Sequence, residues 1–101
     1  MPKIYNDPNI PIKVKLNQCF TISLESNPST GYAWTAEYDS SMLEQSHPQK
    51  FKLKSEAIGG DGVELFDFSA KKKGEVILKM KYQREWERKP VSMKEFEVHI
   101  E

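Results

Sequence analysis

Apolar side chains recur at every second position along most of this chain, the period of strands with one buried face. Ile10, Ile12, Val14 and Leu16 alternate with Pro11, Lys13 and Lys15, which predicts a first strand whose proline suits a sheet edge. In the second, Phe20, Ile22 and Leu24 share a face, while Thr21 and Ser23 turn to water and Cys19 lies opposite Phe20. A third runs from about Tyr32 to Tyr38. The polar segment Asp39 to Gln49, broken by Pro48, then crosses between sheets with room for a helical turn at Ser40 to Glu44. Phe51 and Leu53 mark a fourth strand. Val63 to Ala70 forms a fifth, with Phe66, Phe68 and Ala70 on one face and Val63, Leu65, Asp67 and Ser69 on the other. Val76, Leu78, Met80 and Tyr82 mark a sixth, and Phe96, Val98 and Ile100 a seventh, with Glu95, Glu97 and His99 outward.

About seven strands at this spacing, with no long helical period, predict an all-β fold, an immunoglobulin-like antiparallel β-sandwich. Trp34 stands where such folds carry a core tryptophan, without the two bridging cysteines. The expected core is Phe20, Ile22, Leu24, Trp34, Phe66, Phe68, Leu78, Met80 and Val98. A length of 101 residues fits one domain, 1–101, able to bury its own core.

Composition narrows the function mainly by exclusion. Charged residues form 30% of the chain and cancel to zero, so no global field recruits nucleic acid or an anionic membrane surface. Cys19 is alone, which rules out an intrachain disulfide and a cysteine-rich zinc site. No apolar run approaches the roughly 20 residues of a membrane helix. Met1 to Pro8 lacks the apolar core of a signal peptide, so a cytoplasmic protein is expected, or a secreted or periplasmic one if a leader has been removed. His47 and His99 have no sequence-local partner, and Glu85 and Glu87 sit in a solvated charged run. With no phosphate loop, metal-ligand spacing or hydrolase elbow, the expectation is a non-enzyme that uses no cofactor and no metal.

The most informative stretch is Asn27-Pro28-Ser29-Thr30-Gly31-Tyr32-Ala33-Trp34. Pro28 restricts its own φ and the conformation of Asn27, and Gly31 allows the positive φ of a reversal, leaving Ser29 and Thr30 at a stiff tip. Tyr32 and Trp34, two apart, share a strand face that anchors it. Read locally, this is a turn followed by two core aromatics. Two further loops, Gly59-Gly60-Asp61-Gly62 and Arg84-Glu85-Trp86, follow alternate strands and so gather at the same end in a sandwich. Trp86, flanked by Arg84, Glu85, Glu87 and Arg88, is expected to be exposed, as a binding hot spot or folded over the sandwich edge.

Those eight residues closely resemble the Asn-Pro-Thr-Thr-Gly-aromatic-x-Trp signature of the chagasin family of cysteine-protease inhibitors, with Ser29 in place of a frequent threonine. Tyr82-Gln83-Arg84-Glu85-Trp86-Glu87 is similar to the family's Tyr-x-Arg-Pro-Trp-Glu segment, with Glu85 replacing proline. Gly59-Gly60-Asp61-Gly62 resembles its Gly-x-Gly-Gly loop, with Asp61 at a glycine position. The resemblance implies a monomeric, reversible inhibitor whose partner is a papain-like cysteine protease. Asn27, Pro28, Ser29, Thr30, Gly31 and Tyr32 would enter the cleft with Thr30 nearest the catalytic cysteine. Gly59, Gly60, Asp61 and Gly62 would flank it on one side, and Arg84, Glu85 and Trp86 on the other. The alternatives are a non-inhibitory immunoglobulin-like binding or adhesion module and a sugar-binding sandwich that stacks a ring on Trp86.

Overall fold

The computed structural model describes residues 3–27, 30–53 and 62–101, with Leu53 as backbone alone. Those residues form nine strands: β1 (Lys3–Tyr5), β2 (Ile12–Val14), β3 (Cys19–Ser26), β4 (Tyr32–Glu37), β5 (Leu43–Gln45), β6 (Lys50–Leu53), β7 (Gly62–Ala70), β8 (Gly74–Arg84) and β9 (Ser92–Ile100). One sheet has the order β1-β3-β7-β5, with β6 also paired to β7, and the other the order β2-β9-β8-β4. Together they make the expected sandwich.

The alternation seen in the sequence becomes the core between the sheets. Phe20, Ile22 and Leu24 of β3 and Phe66, Phe68 and Ala70 of β7 face Val76, Leu78 and Met80 of β8 and Phe96, Val98 and Ile100 of β9. All nine residues of the expected core are buried. Phe20 and Phe68 are register partners whose rings stack at 5.6 Å, and Tyr38 meets Phe68 edge-on at 5.2 Å. Such cross-strand pairs add about 0.5–1.5 kcal/mol beyond area burial.

Three local expectations are corrected. The first strand is three residues long and parallel to β9. Ile10 stays exposed in a turn closed on Asp7, and Leu16 precedes Asn17, whose φ of 70° ends the strand. Thr21 is buried, because β1 runs alongside at Ile4 while Asp67 stands opposite and accepts its hydroxyl proton at 2.6 Å. The crossing after β4 carries a strand, β5, paired to β7 and entered by a turn in which Asp39 accepts from the Ser41 amide and hydroxyl. Those bonds hold the Asp39 carboxyl below its usual range. The fourth strand is found where it was expected, as β6 paired to β7, with Phe51 41% exposed.

β7 pairs with β3, β5 and β6, so its inward side chains carry the middle of the core. Phe68→Ala is expected to lower stability by about 3–5 kcal/mol. Urea denaturation checks this, and an unchanged midpoint would mean that Phe68 does not face the core.

Candidate functional site

β3 leads into the Asn27 turn and β4 leads out of it, at the end of the sandwich where β8 turns into β9. The Asn27 amide donates to the Tyr82 hydroxyl at 3.2 Å, which ties the start of the turn to the opposite sheet. The Thr30 amide and hydroxyl both donate to the Asn27 carbonyl, at 3.2 and 2.7 Å, and the Tyr32 amide reaches the Thr30 hydroxyl oxygen at 3.4 Å. The Thr30 hydroxyl therefore staples the turn, a role the sequence did not suggest. Gly31 has a φ of 83°, the left-handed conformation that excludes most side chains.

Behind the turn the aromatic rings form a ladder from core to surface. Trp34 is 4% exposed and lies opposite Tyr82 with ring centroids 4.8 Å apart. Tyr82 stacks on Tyr32 at 5.3 Å, and the Arg84 guanidinium sits 4.5 Å from the Tyr32 ring and 5.8 Å from that of Trp86. The Arg84 Nε donates to the Thr30 carbonyl at 3.2 Å and lies 3.7 Å from the Glu87 carboxylate. A cation placed over aromatic faces contributes about 0.5–1 kcal/mol at an exposed site.

Trp86 is 73% exposed, while the tip of its ring lies 3.5 Å from where a Cβ on Gly31 would stand. The Glu87 amide donates to the Arg84 carbonyl at 3.0 Å, so Glu85 and Trp86 are the two central residues of a tight turn. The Gln83 side-chain amide donates to the Glu87 carbonyl, and Val91 N–H to the Tyr82 carbonyl, fixing the base of this loop.

Thus Asn27, Thr30, Gly31, Tyr32, Arg84 and Trp86 come together as expected, with Glu85 exposed beside them. Pro28, Ser29, Gly59, Gly60 and Asp61 lie outside the described residues. Gly62, expected in the glycine loop, is instead the first residue of β7. It continues the ladder opposite Ser26 of β3 and is also the partner of Leu53 in β6.

One buried ionisable residue escaped the sequence reading. Glu64 is 6% exposed and accepts the Trp34 amide at 3.0 Å and the Gln49 side-chain amide at 3.1 Å. Its signal was parity, since it falls on the same face of β7 as Phe66 and Phe68.

Among the described residues the site contains no nucleophile with a base beside it. Both histidines lie beside carboxylates, His47 with Asp67 at 3.5 Å and His99 with Glu75 at 3.2 Å. His99 lies near the far end of β8, opposite Glu75. Among the described residues no cluster of three or more His, Cys, Asp or Glu could hold a metal. What the arrangement offers is a stiff, displayed surface.

Residues 13–100 match the family described as Chagasin family peptidase inhibitor I42. Amoebiasin-2 of Entamoeba histolytica is 32% identical over 79 residues, which are 76% of this chain and 64% of that protein, so the match spans less than two thirds of that relative. The crystal structure of the cysteine protease inhibitor EhICP2 from Entamoeba histolytica matches with a TM-score of 0.78 and 26% identity, covering 98% of this chain and 96% of that one. PbICP-C, solved in complex with falcipain-2, shares the fold with a TM-score of 0.65 and 18% identity over 100% of both chains. With its signature turn, its aromatic ladder and its nearly full-length family match, the chain belongs to the chagasin family of peptidase inhibitors.

Proposed function

We propose that this protein is a reversible inhibitor of papain-type cysteine proteases that occludes the active-site cleft with the Asn27 turn and its neighbouring loops. The observation that carries the reading is the contact of three elements at one end of the sandwich: the stapled turn, Arg84 bound to the Thr30 carbonyl, and exposed Trp86 against Gly31. A papain-type enzyme attacks a carbonyl with a thiolate activated by histidine. A rigid loop that fills the cleft without presenting a carbonyl in line blocks that attack, and no bond is made or broken. Affinity then comes from preorganised anchors more than from area, within a standard interface of about 1,600 Å².

Titration against papain with a fluorogenic substrate tests the reading. Stoichiometric inhibition, with activity recovered on dilution, is expected, and its absence would remove the proposal. Trp86→Ala is expected to weaken inhibition by about thirtyfold or more, the loss of a hot-spot aromatic of about 2 kcal/mol. The ring is largely in solvent, so the melting temperature of that variant stays close to that of the unaltered protein. A lowered melting temperature with normal inhibition would assign the ring to the fold.

Thr30 is expected to tolerate serine and not arginine. Serine keeps the hydroxyl that bonds to Asn27. Arginine discards it, at about 0.5–1.5 kcal/mol of stability, and sets a bulky charge at the tip that enters the cleft. Inhibition by Thr30→Arg should be lost while its melting curve stays cooperative, and equal inhibition constants would take the tip out of the interface.

Glu85 occupies the first central position of its turn, where proline is favoured. Glu85→Pro is expected to stiffen the loop by about 0.4–1 kcal/mol and to tighten inhibition correspondingly, both read from paired melting and inhibition measurements.

A further inference from the structure

Glu64 is an ionisable group inside a small apolar core, and the inhibitory surface makes no direct use of it. It stands on the inward face of β7, in line with Phe66 and Phe68, yet both of its side-chain partners among the described residues come from outside its own sheet ladder. One is the backbone of β4, the edge strand of the opposite sheet. Trp34 is the register partner of Tyr82 on β8 but turns its N–H away from β8, towards the open edge, where Glu64 Oε2 receives it at 3.0 Å. The other is Gln49, just before β6, which holds Oε1 at 3.1 Å and so steadies the carboxylate from the side.

The place of this bond in the chain gives it functional weight. Trp34 is two residues after Tyr32 and four after Thr30, so the strand it belongs to emerges directly from the displayed turn. Tyr32 carries Arg84 on its ring, and Arg84 holds the Thr30 carbonyl. A shift of β4 along or away from β7 would move every one of these groups relative to β3, where the turn begins. Other hydrogen bonds also join the sheets at this end, among them Trp34 Nε1 to the Glu25 carbonyl at 2.8 Å and the Asn27 amide to the Tyr82 hydroxyl at 3.2 Å. Of these, only that of Glu64 holds the backbone of β4, so it locates the strand itself and not a side chain carried on it.

We propose that Glu64 is a positioning residue for the protease-binding end: by capping β4 at Trp34 it fixes the turn, Tyr32 and Arg84 in the geometry that binds. This rests on the inhibitor reading. Glu64 acts through Trp34 and touches no protease atom.

The test compares the unaltered protein with Glu64→Leu and Glu64→Gln, measuring dissociation from papain, amide exchange at Trp34 and melting temperature, all at a temperature where each variant is folded. In Glu64→Leu the Trp34 amide should exchange faster and dissociation should accelerate by about tenfold, since losses of fit appear mainly in the off-rate. Glu64→Gln keeps an acceptor for Trp34, and Gln49 can turn its own amide to suit, so its dissociation rate should remain within about threefold. A lower melting temperature with an unchanged dissociation rate is the signature of a merely structural role and would overturn the assignment. If Glu64→Leu does not fold, Glu64→Asp takes its place: it keeps the charge and withdraws the carboxylate by one methylene, and an unchanged dissociation rate alongside faster Trp34 exchange would again overturn it. Failure of the unaltered protein to inhibit papain would instead remove the inhibitor reading and this assignment with it, so that single control separates the two failures.

Discussion

The tie between the two sheets at Trp34 is the interaction on which the displayed end of this molecule depends. One residue contributes a buried indole to the core, an indole N–H to the Glu25 carbonyl and a backbone N–H to the Glu64 carboxylate. A buried donor left without an acceptor costs about 1–3 kcal/mol, so both bonds hold the strand in register as well as filling space. Because Trp34 follows the Asn27 turn by so few residues, whatever locates Trp34 locates the turn.

Rigidity at the surface follows from that anchor. Trp34, Tyr82 and Tyr32 pass packing outward ring by ring, and Arg84 completes the series with Trp86 exposed at the end of it. The turn is stapled internally by the Thr30 hydroxyl and externally by Tyr82 and Arg84. A loop held from three sides has little freedom left to lose on binding. Its outer sheet faces, by contrast, carry exposed pairs such as Lys81 with Glu37 at 2.6 Å and Lys71 with Glu44 at 2.8 Å. Solvated pairs of this kind contribute little to stability.

Much of the architecture was legible because a strand with one buried face writes itself as alternation. Phe66, Phe68 and Ala70, or Val76, Leu78 and Met80, admit one orientation of the strand, and the core assembled from them as read. The margins were not legible. Three-residue strands such as β1 and β5 are too short to show a period, and their existence depends on a neighbour offering an open edge. Ile10 and Leu16 continued the pattern of Ile12 and Val14 yet lie in turns, because the local bonds of Asp7 and the left-handed Asn17 end the strand before the pattern does.

The sandwich, most of its core and the turn that carries the family signature could be read from the residues, since they follow from side-chain parity and from the residue types of the turn. Which polar groups meet across the sheets was settled by the packing alone. Glu64 sits among apolar residues in the sequence, and nothing local reveals that the amide of Trp34, thirty positions earlier, is aimed at its carboxylate. The same holds for Thr30, whose hydroxyl reads as surface decoration until the Asn27 carbonyl is seen beneath it. Burial averages over a whole strand face and so leaves a periodic trace, whereas a hydrogen bond joins two atoms whose meeting is fixed by the packing of everything between them.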